Sequence, residues 1–169
     1  MMMTVALMLA MPPALSSGQE TDPRTVNLND AATACIQKDF DVFFEKYVWS
    51  ADVRRRYTAP AILEGAYAAP TRPGVRRPAD VQRFEIAMID YTYVDAASAD
   101  RNERDGTPVR HLWIEKTPLA GGGWRVQYQG AITRPGEGDG VELIRKIGTP
   151  RAYVFVPAAG CWRLERWLK

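Results

Sequence analysis

The chain has 169 residues, of which 46% are hydrophobic, 10% aromatic and 25% charged, and its formal net charge is +2. This composition fits one ordinary globular domain and excludes a disordered, fibrous or collagen-like protein. A charge so close to neutral, without a nucleic-acid-binding motif, also argues against a nucleic-acid partner.

The first 16 residues have the features of a secretory signal peptide. They are apolar from Val5 to Met11, are then broken by two prolines, and end on the sequence ALS, which fits the small-x-small rule for cleavage. The apolar run is far shorter than the roughly 20 residues of a transmembrane helix. The alternative, a disordered or core-inserting N-terminus, rests on the absence of Lys and Arg before the run. We predict a signal peptide over 1–16, a polar leader over 17–29 and one domain over 30–169, in the periplasm or secreted.

Two helices are predicted to open the domain. Asp30 can cap a helix that runs to about Val48. Its apolar residues recur at helical spacing; they are Ala32, Ile36, Phe40, Phe43, Phe44 and Tyr47. A shorter helix is predicted after Ser50, through ADVRRRYTA, with Pro60 at its end.

The middle of the chain changes from loop to strand. Residues 60–78 are rich in proline, glycine and small side chains, which indicates mostly loop. Residues 83–94, RFEIAMIDYTYV, are apolar on both faces, as in a central strand. The charged segment DAASADRNERDGTP that follows indicates a long exposed connection.

The C-terminal part is predicted to consist of strands. Residues 109–117 and 123–134 form a hairpin across PLAGGG, and 141–147 is predicted as a further strand. Residues 151–156 and 161–168 form a terminal hairpin around PAAG. Helices first and strands afterwards predict an α+β fold, with N-terminal helices packed on a curved antiparallel sheet of about five to six strands.

Two segments carry a resemblance to a known family. FDVFFEKYVWSADVRRRYT and RAYVFVPAAGCWRLERW are similar to the opening helices and closing hairpin of the nuclear transport factor two superfamily, over residues 30–168. The resemblance implies a cystatin-like cone. It implies a pocket rather than a reaction, because the superfamily includes isomerase-like and SnoaL-like cyclase-type enzymes as well as non-catalytic binding modules.

Two side chains are candidates for acid or base catalysis. Asp90, by strand alternation, shares a face with Phe84, Ile86 and Met88, and an apolar setting would suit a general base. His111 is the only histidine and could shuttle protons. The alternatives are that Asp90 accepts a local hydrogen bond and that His111 is a partly buried strand residue. No nucleophile-elbow or phosphate-loop spacing is present, so no cofactor is expected.

Aromatic residues of the predicted strands are candidates for a ligand pocket. These are Tyr91, Tyr93, Trp113, Trp124 and Tyr128. The alternative is that they fill the concave side of the sheet as core.

Arginines are concentrated between residues 54 and 83. Because guanidinium groups bind carboxylates and phosphates, this cluster is a candidate anion-binding surface. The residues concerned are Arg54, Arg55, Arg56, Arg76 and Arg77. A solvated face that pairs partly with DRNERD is the alternative.

The two cysteines, Cys35 and Cys161, lie 126 positions apart. In an exported protein they would most simply form one disulfide, and two buried free thiols are the alternative. No metal site is expected, because no further Cys or His lies at ligand spacing.

The function predicted from these features is an exported, non-catalytic binding or interaction module. Its partner would be a small lipophilic ligand or a protein, with a homodimer as a further expectation. Two alternatives stay open: a small lyase, isomerase or cyclase with an apolar pocket, and an accessory structural component of an envelope assembly.

Overall fold

The computed structural model describes residues 22–70, 72–136 and 141–169. The predicted signal peptide and the first part of the leader lie outside these residues. The helices are α1 (Pro23–Gln37), α2 (Phe40–Trp49), α3 (Ala51–Arg56) and α4 (Ala96–Asp105), with a 3-10 turn at Val81–Arg83. The strands are β1 (Thr58–Gly65), β2 (Val75–Pro78), β3 (Ile86–Ile89), β4 (Thr92–Asp95), β5 (Leu112–Pro118), β6 (Trp124–Pro135), β7 (Val141–Ala158) and β8 (Cys161–Leu168).

The main sheet has six strands in the order β2-β1-β8-β7-β6-β5, and β3 and β4 form a separate two-stranded sheet. The predicted α+β class is confirmed, with N-terminal helices against a curved six-stranded sheet. The sheet is mixed rather than wholly antiparallel, because β1 runs parallel to β8. A parallel pair needs a long crossover, which here contains most of the chain, so local sequence could not reveal it.

The segment predicted as the first helix forms two helices, α1 and α2. Lys38 takes a left-handed conformation with φ of 59°, which ends α1. Asp39 then caps α2 by accepting a hydrogen bond from the backbone N–H of Val42 at 3.1 Å. The break separates the two apolar faces, so Ile36 is 81% exposed rather than buried as predicted. The helix α1 also begins at Pro23, within the segment described from sequence as a leader.

The middle of the chain differs most from its prediction. The proline-rich stretch contains β1 and β2, which pair antiparallel from Ala61 to Glu64. The predicted central strand over 83–94 is instead the β3–β4 hairpin, which turns at Asp90 and Tyr91 with φ of 46° and 60°. The predicted exposed loop contains α4, which Asp95 caps. Each of these elements depends on a helix cap or on a pairing partner, and the spacing of apolar residues along the sequence does not predict either.

The core lies between the helices and the concave face of the sheet. Phe40 of α2 stacks on Trp124 of β6 at 4.6 Å between ring centroids and meets Trp162 of β8 edge-on at 5.2 Å. Phe155 of β7 is fully buried against α2. Aromatic rings therefore pack against one another on the concave side of the sheet. None of the helices in the described part of the chain is long and apolar enough to cross a membrane.

The strands β6 and β7 form a hairpin that extends beyond their neighbours. The strand β5 pairs with β6 only as far as Gly130, and β8 pairs with β7 only from Ala152 onward. We call residues 132–135 and 141–145 the distal ribbon, because there the two strands pair only with each other among the described residues. Register shifts between β6 and β7, of the kind that β-bulges produce, lie at its base.

Candidate functional site

A cleft of about 790 Å³ lies at the base of the distal ribbon. The end of β4, the segment that leads into β5, and the middle of β6 and β7 form its walls. Its lining includes apolar side chains, among them Leu112, Ile132 and Ile147. It also includes charged and polar side chains, and these are Glu85, Asp95, Arg110, His111, Tyr128 and Arg151. A cleft of this size and mixed lining is typical of a small-molecule site.

A hydrogen-bonded network includes three of the polar residues that line the cleft, Glu85, Tyr128 and Arg151. The hydroxyl of Tyr128 donates to Oε2 of Glu85 at 2.7 Å, and Nε1 of Trp167 donates to the same hydroxyl at 2.9 Å. Nη1 of Arg151 donates to both carboxylate oxygens of Glu85 at 2.7 Å. The backbone N–H of Glu85 donates to the hydroxyl of Tyr153 at 3.0 Å. These contacts hold Glu85, which precedes β3, against Tyr128, Arg151 and Tyr153 of the main sheet.

The network fixes the protonation states of Tyr128 and Arg151. Burial raises the pKa of Tyr128 far above its usual range, and the neighbouring Tyr153 and Glu85 add to this effect. The hydrogen bond with Glu85 raises the pKa of Arg151. At neutral pH Tyr128 is therefore a neutral donor and Arg151 a cation.

A second polar group lies where β4 meets the segment before β5. Nη2 of Arg110 donates to Oδ1 of Asp95 at 3.2 Å, and the same oxygen caps α4 through the backbone N–H of Ser98 at 2.9 Å. The backbone N–H of Arg110 donates to the Ser98 hydroxyl, which is fully buried. His111 follows, and its Nδ1 is buried without a hydrogen-bond partner among the described residues.

The two residues predicted as acid or base, Asp90 and His111, lie in different surroundings. Asp90 is exposed in the β3–β4 turn, so the prediction that it shares an apolar strand face with Ile86 and Met88 is wrong. The turn inverts the chain at this residue, which alternation along one strand could not anticipate. His111 lines the cleft, and its backbone pairs antiparallel with that of Val94 in β4.

The five aromatic residues predicted as pocket lining do not come together. Tyr128 lines the cleft, whereas Trp124 and Tyr93 pack against the core. Burial raises the pKa of Tyr93 to about 12. Tyr91 is 82% exposed in the turn, and Trp113 projects on the side of β5 opposite to the core residues Leu112 and Ile114. The alternation of side chains along a strand predicts the face on which a residue lies. It does not predict which residues of other strands that residue contacts.

The five arginines predicted to bind anions are divided between α3 and β2. Arg55 forms an ion pair with Asp52, and Nε of Arg77 lies 3.4 Å from Oε2 of Glu64. Arg77 also lines a second cavity of about 30 Å³, which has room for about one or two water molecules. Arg56 lies over the ring of Tyr57, and Arg76 is exposed on β2.

Arg54 stabilises the end of a helix. Its Nη1 donates to the carbonyl oxygens of Tyr47 at 3.2 Å and Val48 at 2.6 Å, at the C-terminus of α2, and its guanidinium lies over the Phe84 ring. Burial lowers its pKa, although a cation at a helix C-terminus is stabilised by the helix dipole. These contacts occupy Arg54 inside the protein rather than at an anion-binding surface.

We expect Arg54→Ala to lower the free energy of unfolding by about 2 kcal/mol, because it leaves two carbonyl groups of α2 without their charged donor. Urea denaturation followed by circular dichroism measures this loss. Arg55→Ala is the matched control: Arg55 is exposed and pairs only with Asp52 among the described residues, so its loss should stay below about 0.5 kcal/mol. Equal losses in the two variants would contradict the role of Arg54.

The predicted pairing of Cys35 and Cys161 is confirmed as a disulfide, with 4.7 Å between the Cα atoms. It joins the last turn of α1 to the start of β8. Such a bond is compatible with an oxidising compartment. Within the described residues, no group of three or more Cys, His, Asp or Glu side chains could hold a metal ion.

Sequence analysis missed Glu85, Arg110 and Arg151 as site residues. Glu85 lies in a segment predicted as one strand, and Arg151 lies 66 positions further along the chain. A charged residue at the edge of an apolar strand was the only signal, and many such residues are simply solvated. Only the tertiary structure brings these three side chains to one cleft.

Comparison with known proteins adds little to these observations. No protein-family model matches the chain, and no curated protein sequence matches it. Among solved structures, the chain is similar to that of Aln2 from a Streptomyces species, with 10% sequence identity over 85% of this chain and 84% of that chain. The TM-score of this match is 0.28, a value at which the likeness supports no conclusion about this chain.

Proposed function

We propose that this protein is an exported, non-catalytic binding module that holds a small amphipathic molecule in the cleft at the base of the distal ribbon. The observation that carries the proposal is the mixed lining of this cleft. Leu112, Ile132 and Ile147 offer apolar surface, and the pair formed by Glu85 and Arg151 lines the same cleft. A ligand with an apolar body and a polar head would match both kinds of lining.

Binding without chemistry is the interpretation we favour. The proton of Tyr128 is held by a strongly raised pKa, and both carboxylate oxygens of Glu85 accept hydrogen bonds from Arg151. A general base needs a free acceptor and a pKa near the working pH. His111, with its unpartnered Nδ1, is the observation that favours a small lyase, isomerase or cyclase as the second candidate.

Export and family membership belong to the same proposal. Export is supported by the composition of residues 1–16 and by the disulfide. A relationship to the nuclear transport factor two superfamily is supported by helices that cover one face of a curved six-stranded sheet. The cleft lies beside the filled aromatic core rather than in the centre of the cone.

The test uses N-phenyl-1-naphthylamine, an uncharged probe whose fluorescence rises in apolar surroundings. We expect saturable binding to the protein, and Ile147→Glu should weaken it about tenfold or more, because a carboxylate would replace apolar lining. Ile144→Glu is the matched control: Ile144 is 56% exposed on the same strand and does not line the cleft. Its affinity should equal that of the unmodified protein.

Failure of the probe to bind, or an equal loss in both isoleucine variants, would contradict the cleft as the site. Ligands recovered after incubation with the protein should be unchanged both in mass and in proton NMR spectrum, since the product of an isomerase or cyclase can have the mass of its substrate. A change in either would favour the enzyme candidate, and His111→Gln would then abolish the change.

A further inference from the structure

The charged groups of the cleft have more unused donors than acceptors. All hydrogen bonds of the Arg151 side chain to the described residues leave from Nη1. Its Nε and Nη2 therefore carry N–H groups without a protein acceptor there, on a side chain that is 45% exposed. Glu85, by contrast, accepts from Arg151 through both oxygens and from Tyr128 through Oε2.

The second charged pair has the same imbalance. Arg110 donates to Asp95 only through Nη2, and its side chain is 66% exposed. The Asp95 side chain is 27% exposed; its Oδ1 accepts from Ser98 and Arg110, and its Oδ2 has no donor among the described residues. The free N–H groups of Arg110 still outnumber this one free oxygen. Each carboxylate thus lies against its own arginine, and each of these cleft-lining arginines keeps free donors.

We propose that the cleft selects ligands with an oxyanion head, a carboxylate or a phosphate, which Arg151 and Arg110 bind while the apolar body of the ligand lies along Ile132 and Ile147. This proposal rests on the proposed function and names the class of its ligand. A guanidinium group offers paired N–H donors that match the two oxygens of such a head. The neighbouring carboxylates hold the two guanidinium groups in place before the ligand arrives, which reduces the entropic cost of binding.

A cationic head is the opposite alternative. It would have to bind Glu85 or Asp95, whose charges are already matched by Arg151 and Arg110 at hydrogen-bonding distance. A cationic head would be repelled by the two arginines and an anionic head by the two carboxylates, so charge does not distinguish the two heads. The larger supply of free donors favours the anion.

The experiment measures displacement of N-phenyl-1-naphthylamine by four compounds with the same ten-carbon chain: decanoate, decyl phosphate, decanol and decylamine, each kept below the concentration at which it forms micelles. We expect decanoate, decyl phosphate or both to bind about tenfold or more tightly than decanol and decylamine. The comparison of the first two distinguishes a carboxylate from a phosphate ligand.

Variants locate the preference in the cleft. Arg151→Gln and Arg110→Gln should each weaken binding of the preferred anion about tenfold and leave decanol unchanged. Arg145→Gln is the control, because it removes the same charge from an exposed position of the distal ribbon that does not line the cleft. If Arg151→Gln fails to fold, Arg110→Gln gives the answer, because its side chain is largely exposed.

Two outcomes would overturn the proposal separately from the proposed function. Equal affinity for all four compounds, or tighter binding of decylamine, would show a cleft that binds apolar chains without selecting an anion. An anion preference that Arg145→Gln reduces as much as Arg110→Gln would assign it to general surface charge. Absence of binding by the probe and by all four compounds would overturn both proposals together.

Discussion

Replacement of both cysteines, Cys35→Ala with Cys161→Ala, is expected to lower the free energy of unfolding by about 2–5 kcal/mol. The disulfide closes a loop with a sequence separation of 126, so its removal gives the unfolded chain much more conformational freedom. Both residues are buried, at 5% and 8% exposure, which is why alanine is chosen to avoid burying a polar group. Urea denaturation of the oxidised protein and of the double variant measures the difference.

The control for this variant is the unmodified protein unfolded in the presence of a reducing agent. Reduction should lower its stability to near that of the double variant, and the reductant should not affect the variant itself. If the oxidised protein and the double variant unfold at the same urea concentration, the disulfide does not stabilise this fold. Two free thiols in oxidatively folded protein would contradict the pairing.

A comparable loss is expected at the centre of the aromatic core. Phe155→Ala should lower the free energy of unfolding by about 3–5 kcal/mol, because it removes a fully buried ring and leaves a cavity. The ring of Phe155 lies 5.5 Å from Phe40 and 5.0 Å from Tyr47, measured between centroids, so one substitution weakens the packing of β7 against α2.

Tyr91→Ala serves as the control for the core substitution. It also replaces an aromatic ring by alanine, but Tyr91 is 82% exposed, so the change in stability should stay within about 0.5 kcal/mol. Thermal unfolding followed by circular dichroism compares the two variants. A small loss for Phe155→Ala would mean that the helices are not held by the concave face of the sheet.

The concave face of the sheet is packed with aromatic side chains, and the candidate cleft lies elsewhere on the molecule. The resemblance implied a pocket inside a cone, but Phe40, Trp124 and Phe155 occupy that space. The candidate ligand cleft lies at the base of the distal ribbon, where β6 and β7 extend beyond β5 and β8. A ligand held there would touch the charged pairs of Glu85 and Asp95, so charge would take part in its selection together with apolar contact.

The amino-acid sequence by itself determined the α+β class, the hairpin of β5 and β6, the terminal hairpin and the disulfide partners. These features rest on signals within a few neighbouring residues, such as alternation in residues 124–128 and the turn PAAG, or on a count of two cysteines. Local periodicity reports which side of an element is apolar, and where the turn residues lie close together it also reports the pairing.

The tertiary structure alone decided the parallel pairing of β1 with β8, the hairpin at Asp90, and the cleft. The segment of β1 contains Pro60 and small residues and has little strand character of its own, so its strand depends on β8, which lies about a hundred positions away. Glu85 and Arg151 meet for the same reason: their contact is made by the fold, at a separation of 66 positions. Residues that act together across such distances leave no periodic pattern, because no local interaction relates them.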